Sequence, residues 1–115
     1  MYMNATQPLP PATFHILLAL ATADRHGYGI IQDVEARTRG ALRLSPGTLY
    51  RTIQRLLEQG LIVEPRRRHD PDDDPRRRYY QITPLGRAAA QAETRRLAQM
   101  VKLAGGAGFL TRAPV

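Results

Sequence analysis

Thr48, Arg51, Thr52 and Arg55 follow one another closely enough to share one side of a helix, with Thr52 at its edge. Guanidinium groups placed there can grip a guanine edge or a phosphate through two parallel N–H bonds, and the hydroxyls can serve either. The opposite side carries Leu49, Ile53, Leu56 and Leu57, an apolar seam suited to docking the helix on a core. Ser45 and Pro46 open the element. Serine accepts an orphan amide hydrogen as N-cap, and proline at the first helical position forfeits nothing by lacking its N–H. Tyr50 stands at the flank, where its hydroxyl can reach a phosphate, and the only acid, Glu58, lies near the far end. The chemistry is recognition of a polyanion. The expected contacts are Ser45, Thr48, Tyr50, Arg51, Thr52 and Arg55.

A second charged constellation lies further on, where Arg66, Arg67, Arg68, Arg76, Arg77 and Arg78 surround Asp70, Asp72, Asp73 and Asp74. One reading has Arg67, Arg68, Arg76, Arg77 and Arg78 touching phosphates or the minor groove while the acidic tip points away. The other is a loop that pairs with itself, and screened surface pairs of that kind contribute little. The aspartates lack the glycine and the distal glutamate of an EF-hand loop, so no metal is expected. His15, His26 and His69 show no ligand spacing, Ser45 is the only serine, and there is no cysteine. No phosphate-cradling glycine loop follows a strand. These absences predict no enzyme and no cofactor.

The elements that must position these groups fit one domain of 115 residues. Seventeen basic residues, sixteen of them arginine, stand against ten acidic ones, for a net charge of +7. Such a domain is drawn to phosphate chains, because neutralising phosphates releases condensed counterions. The longest apolar stretch, Ile16 to Ala21, is far short of the roughly 20 residues that span a bilayer. With no basic start and no signal-like apolar core, the expected location is the cytoplasm, away from membranes.

Periodicity predicts a flexible arm over 1–11, a first helix from Ala12, and a second from about Tyr28 to Arg39. Ala41 to Leu44 reads as a short extended piece. The third helix runs from Pro46 to Gln59 and stops at Gly60, and strands follow at Leu61–Pro65 and Arg78–Thr83. Thr83 and Pro84 repeat the cap-plus-proline device and open a long helix over 84–104, with 105–115 as a loose tail. That helix outruns so small a core. Its distal stripe of Leu97, Met100, Val101 and Ala104, together with Phe14 from the first helix, is expected at a homodimer interface. The whole is mainly α with a small β-hairpin: a winged helix-turn-helix domain over 12–83 plus a C-terminal dimerisation helix.

Gly27-Tyr28-Gly29-Ile30, Ser45-Pro46-Gly47-Thr48-Leu49-Tyr50, Arg55-Leu56, Gly60-Leu61-Ile62 and Arg78-Tyr79-Tyr80-Gln81-Ile82-Thr83 with Gly86 carry a resemblance. Over about residues 12–104 the chain resembles the PadR family of winged-helix transcriptional regulators, in its compact subgroup with a single C-terminal dimerisation helix. Arg51 stands where that family usually has proline, which adds a charge to the presumed DNA face, and Gly29 replaces a common acidic residue. The resemblance implies a repressor that binds an inverted-repeat operator in double-stranded DNA as a homodimer and responds to a small-molecule effector. No tryptophan is present to stack a flat aromatic drug, as some compact members do. The alternative reading is a winged-helix module for protein interaction or ligand sensing that does not itself repress through DNA.

Overall fold

The computed structural model describes residues 7–66 and 74–110. Helix α1, Pro11–Thr22, begins on a proline whose missing N–H leaves no orphan donor. Ile16, Leu17, Ala19 and Leu20 bury it along a broad side, which makes α1 the centre of the core. Ala23 leaves the helix extended, and the chain enters strand β1, Arg25–His26.

Helix α2, Gly27–Arg37, is capped by the His26 ring, whose Nδ1 accepts the Gly29 N–H at 3.1 Å. Arg39 and Gly40 then turn the chain through left-handed conformations, at φ 53° and 80°. Helix α3, Pro46–Glu58, starts as expected, with Ser45 Oγ accepting the Thr48 N–H at 3.1 Å. It ends in a Schellman turn. Gly60 lies at φ 73°, its N–H reaches Leu57 O, and the Leu61 N–H reaches Leu56 O at 2.9 Å. Leu49, Ile53, Leu56 and Leu61 are buried, so the seam and the turn behind it both join the core.

Strands β2, Ile62–Val63, and β3, Tyr79–Ile82, form the hairpin. The antiparallel sheet has the order β1-β3-β2, with Arg25 opposite Tyr80 and Ile62 opposite Ile82. Side chains alternate across it: Ile62, Tyr80 and Ile82 face the core, while Val63 and Gln81 face out. Helix α4, Pro84–Gly106, is capped by Thr83, whose hydroxyl accepts the Gly86 N–H and donates to Gly60 O at 2.7 Å. One side chain thus ties the end of α3 to the start of α4.

Several expectations are corrected. The piece over 41–44 forms no strand; the third strand is β1, between the first two helices, where no strand was expected. Two residues are too few to show a period, and β1 exists only through long-range pairing with β3. The arm is not loose at Leu9, which is buried and donates its N–H to Glu93 Oε1 at 3.2 Å. The long helix includes Gly105 and Gly106, and Leu110 folds back against Gly105. Glu93 is 4% exposed and forks onto Arg96 at 2.6 Å. This pairing, more than the Leu9 N–H, holds its carboxyl below the ordinary 4.5, against the opposing effect of burial. The pair's stabilisation is complete above that value and fades as pH falls through the depressed one.

Candidate nucleic-acid interface

The outer side of α3 is as open as a recognition surface needs to be. Tyr50, Arg51 and Arg55 are exposed, and among the described residues neither arginine has an ion-pair partner. Ser45 Oγ also donates to Thr48 Oγ1 at 3.1 Å, which fixes both hydroxyls at the helix mouth. Thr52 departs from the expected face. It is 7% exposed, and its hydroxyl donates to Thr48 O at 2.8 Å. With that bond made, the hydroxyl loses little by burial, and the threonine methyl packs like an apolar group.

Tyr50 is seated by a neighbour the sequence reading did not identify. Its ring and hydroxyl occupy the space that a Cβ on Gly27 would fill. Glycine at the start of α2 therefore leaves room for α3's tyrosine to pack against it. The adjoining turn adds Arg39, exposed and without an ion-pair partner among the described residues, while Arg43 is held by Glu35 at 2.8 Å.

The wing arginines divide. Arg67 and Arg68 lie outside the described residues. Arg76 forks onto its near neighbour Asp74, with Nε 3.2 Å from Oδ1 and Nη2 3.3 Å from Oδ2. Arg77 brings Nη1 to 3.3 Å from His26 Nε2, linking the wing base to the residue that caps α2. Arg78 makes a bidentate pair with Glu64, at 2.8 and 2.5 Å. That pair holds the Glu64 carboxyl below its ordinary range and raises the Arg78 guanidinium. Burial pushes the neighbouring Tyr80 hydroxyl up. Pairing between the wing's own arginines and aspartates, one of the two readings of its charge, is thus present at Arg76, whereas Arg78 takes Glu64 across the hairpin.

Glu64 escaped the sequence reading, although a signal existed. With Ile62 opposite Ile82, period-two alternation places Glu64 on the same face as Tyr80 and Arg78.

The residues expected at a dimer interface also divide. Leu97, Met100 and Val101 are exposed on distal α4, and Ala104 is half-buried. Phe14 is half-buried against the core of its own chain and meets His15 edge-on. Among the described residues no cluster of His, Cys, Asp or Glu could hold a metal, and no helix is long and apolar enough to cross a membrane.

A family model described as the transcriptional regulator PadR-like family matches residues 16–92. The chain is 39% identical over 88 residues to transcriptional regulator Rv3488 of Mycobacterium tuberculosis, which covers 76% of this chain and 77% of that protein. Its fold is similar to that of a transcriptional regulator from Clostridium thermocellum, with a TM-score of 0.69 and 25% identity over 83% of this chain and 87% of the other. A PadR family transcription regulator from Clostridium difficile superposes with a TM-score of 0.71 at 23% identity, covering 84% of this chain and 97% of that one.

Proposed function

The chain belongs to the PadR-like family and is a DNA-binding transcriptional regulator; from that premise we propose that it is a ligand-responsive, homodimeric repressor. Two copies of α3 enter successive major grooves of an inverted-repeat operator, with half-sites about one helical turn apart. Ser45, Thr48, Arg51 and Arg55 face the bases and the nearest phosphates, and Tyr50 reaches the backbone. Wing residues Arg67, Arg68, Arg76, Arg77 and Arg78 lie along the flanking backbone. The observation that carries this reading is the outer side of α3, where exposed Arg51 and Arg55 stand opposite the buried Leu49, Ile53 and Leu56.

The distal half of α4, read as the dimerisation helix, supplies the second copy. An effector that fills the groove between α1 and α4, lined by Leu18, Ala21, Ile82 and Ala90 with Arg87 and Arg95, would move that helix against its domain and change the spacing of the two α3 helices. The family and its named relatives indicate regulation of transcription rather than catalysis. The site of action on this reading is the cytoplasm.

Selection of bound fragments from genomic DNA, followed by footprinting, yields the operator. On it, Arg55→Ala is expected to cost about 1–3 kcal/mol, the loss of one bidentate base contact. Alanine at Thr48, Arg51 and Arg55 together should remove discrimination between operator and unrelated duplex. Unchanged operator affinity in the triple variant would place the recognition surface elsewhere.

Gly27→Ala separates seating from folding. The added methyl evicts the Tyr50 ring, which is 52% exposed and can swing into solvent. Its melting temperature should stay near the parent's while operator affinity falls to that of Tyr50→Ala. A variant that melts far lower yet keeps full affinity would show that the seat serves stability alone.

A further inference from the structure

The geometry points to Glu64 as a specificity-determining residue: it holds Arg78 as a stand-in for a DNA phosphate and so restrains sequence-independent binding. The inference rests on the DNA-binding reading and concerns a residue outside the recognition helix. Ile62 and Glu64 leave β2 on the core-facing side, and Ile82, Tyr80 and Arg78 run along the same side of β3. Toward the sheet the side is apolar and buried; toward the wing it emerges as the Glu64–Arg78 pair. Two parallel N–H···O bonds satisfy the carboxylate in the way a phosphate would be satisfied.

The pair is solvent-accessible, with side chains 38% and 66% exposed, so it adds little to stability. Its position is the informative part. Glu64 directly follows β2 and Arg78 directly precedes β3, so the pair closes the hairpin at the base of the wing, the element that the DNA-binding reading lays along the flanking backbone. A carboxylate here repels phosphates and occupies the Nε–Nη2 edge of a wing guanidinium. Any duplex must displace Glu64 before Arg78 can grip a phosphate through that bidentate edge, and this holds every sequence alike to a lower affinity. Base contacts from α3 then decide the outcome, since they alone differ between sequences.

Glu64→Gln tests the idea on the full chain, with a fluorescent duplex of arbitrary sequence as probe and potassium chloride as the variable. The amide keeps the size of the carboxyl and loses its charge. Binding at low salt should tighten about three- to tenfold, and the salt slope should steepen by about one unit, as one added phosphate contact requires. Adding Arg78→Gln to that variant should return the slope to the parental value. Glu64→Asp, too short to fork across both nitrogens, should fall between, and it guards against a folding artefact in the first variant. A parental slope in a folded Glu64→Gln protein would overturn the proposal. So would a gain that survives Arg78→Gln, because the effect would then be bare repulsion. If the parent shows no salt-dependent binding to any duplex, the DNA-binding reading itself fails, which is a separate result.

Discussion

A Gly86→Ala variant is expected to lose about 3 kcal/mol of stability, at the upper end for an overpacked core. A Cβ at this position would collide with the Leu61 carbonyl oxygen and lie 2.9 Å from Ile82 Cγ1. Neither neighbour can step aside cheaply. The Leu61 carbonyl accepts the Thr83 N–H at 3.1 Å, and the Leu61 amide closes the Schellman turn of α3. Ile82 sits in the core, paired with Ile62. The helix must therefore lift away from the sheet, and the Thr83 bond that joins α3 to α4 loosens with it. At about 4–8 °C per kcal/mol for a small domain, the melting temperature should fall by roughly 12–24 °C. Gly106→Ala is the matched control on the same helix, because nothing lies within 4 Å of its added methyl. Alanine there should be neutral or slightly stabilising. A Gly86→Ala protein that melts beside the parent would mean that α4 does not pack on the α3–β2 turn as described.

Gly86 also shows what could and could not be read from the chain. Its place beside the Tyr-Tyr-Gln-Ile-Thr segment was visible, but the reason for it is a backbone oxygen 25 positions earlier. Local signals were fully legible: the Ser45-Pro46 and Thr83-Pro84 caps form the bonds their residue types require. The apolar seam of α3 was legible because a period of 3.6 residues is strong over four turns. Thr52 was not, since a threonine at the margin of such a face can turn either way. Its burial is decided by the carbonyl of Thr48.

Charge partners were the hardest to read. Arg76 and Arg78 sit in one arginine run, yet one takes a near neighbour and the other reaches across the hairpin. Composition of the run cannot separate those fates; strand register does. Leu9 is similar, because its anchor, Glu93, lies on a helix at the opposite end of the chain.

The second large effect concerns α4, where Leu97→Glu with Val101→Glu should leave a single-chain species of 12.9 kDa and weaken operator binding about a hundredfold or more. Gly86, Ala90, Glu93, Leu97, Met100 and Ala104 follow one another in alternating steps of four and three, the spacing that keeps one stripe aimed at a partner. The first half of that stripe is covered by its own domain: Gly86 and Glu93 are buried, and Ala90 packs against the core. Past Glu93 the cover ends while the stripe continues. Leu97 is 37% and Val101 53% exposed, so replacing them removes nothing from the core of one chain. The melting of an isolated chain should accordingly be little affected. What they lose is the apolar surface a second copy would bury, worth about 25 cal/mol for each Å² withheld from water. With one α3 per particle, the operator is held through one half-site and the gain from linked binding disappears. Gln99→Glu, on the opposite side of the same helical turn, adds a like charge and should leave both mass and affinity as in the parent. Sedimentation of the three proteins at the concentration used for DNA binding checks the first expectation, and titration with the footprinted operator checks the second. A double variant that still sediments as a dimer would show that the second copy docks elsewhere, and retained affinity in a true monomer would show that one α3 suffices.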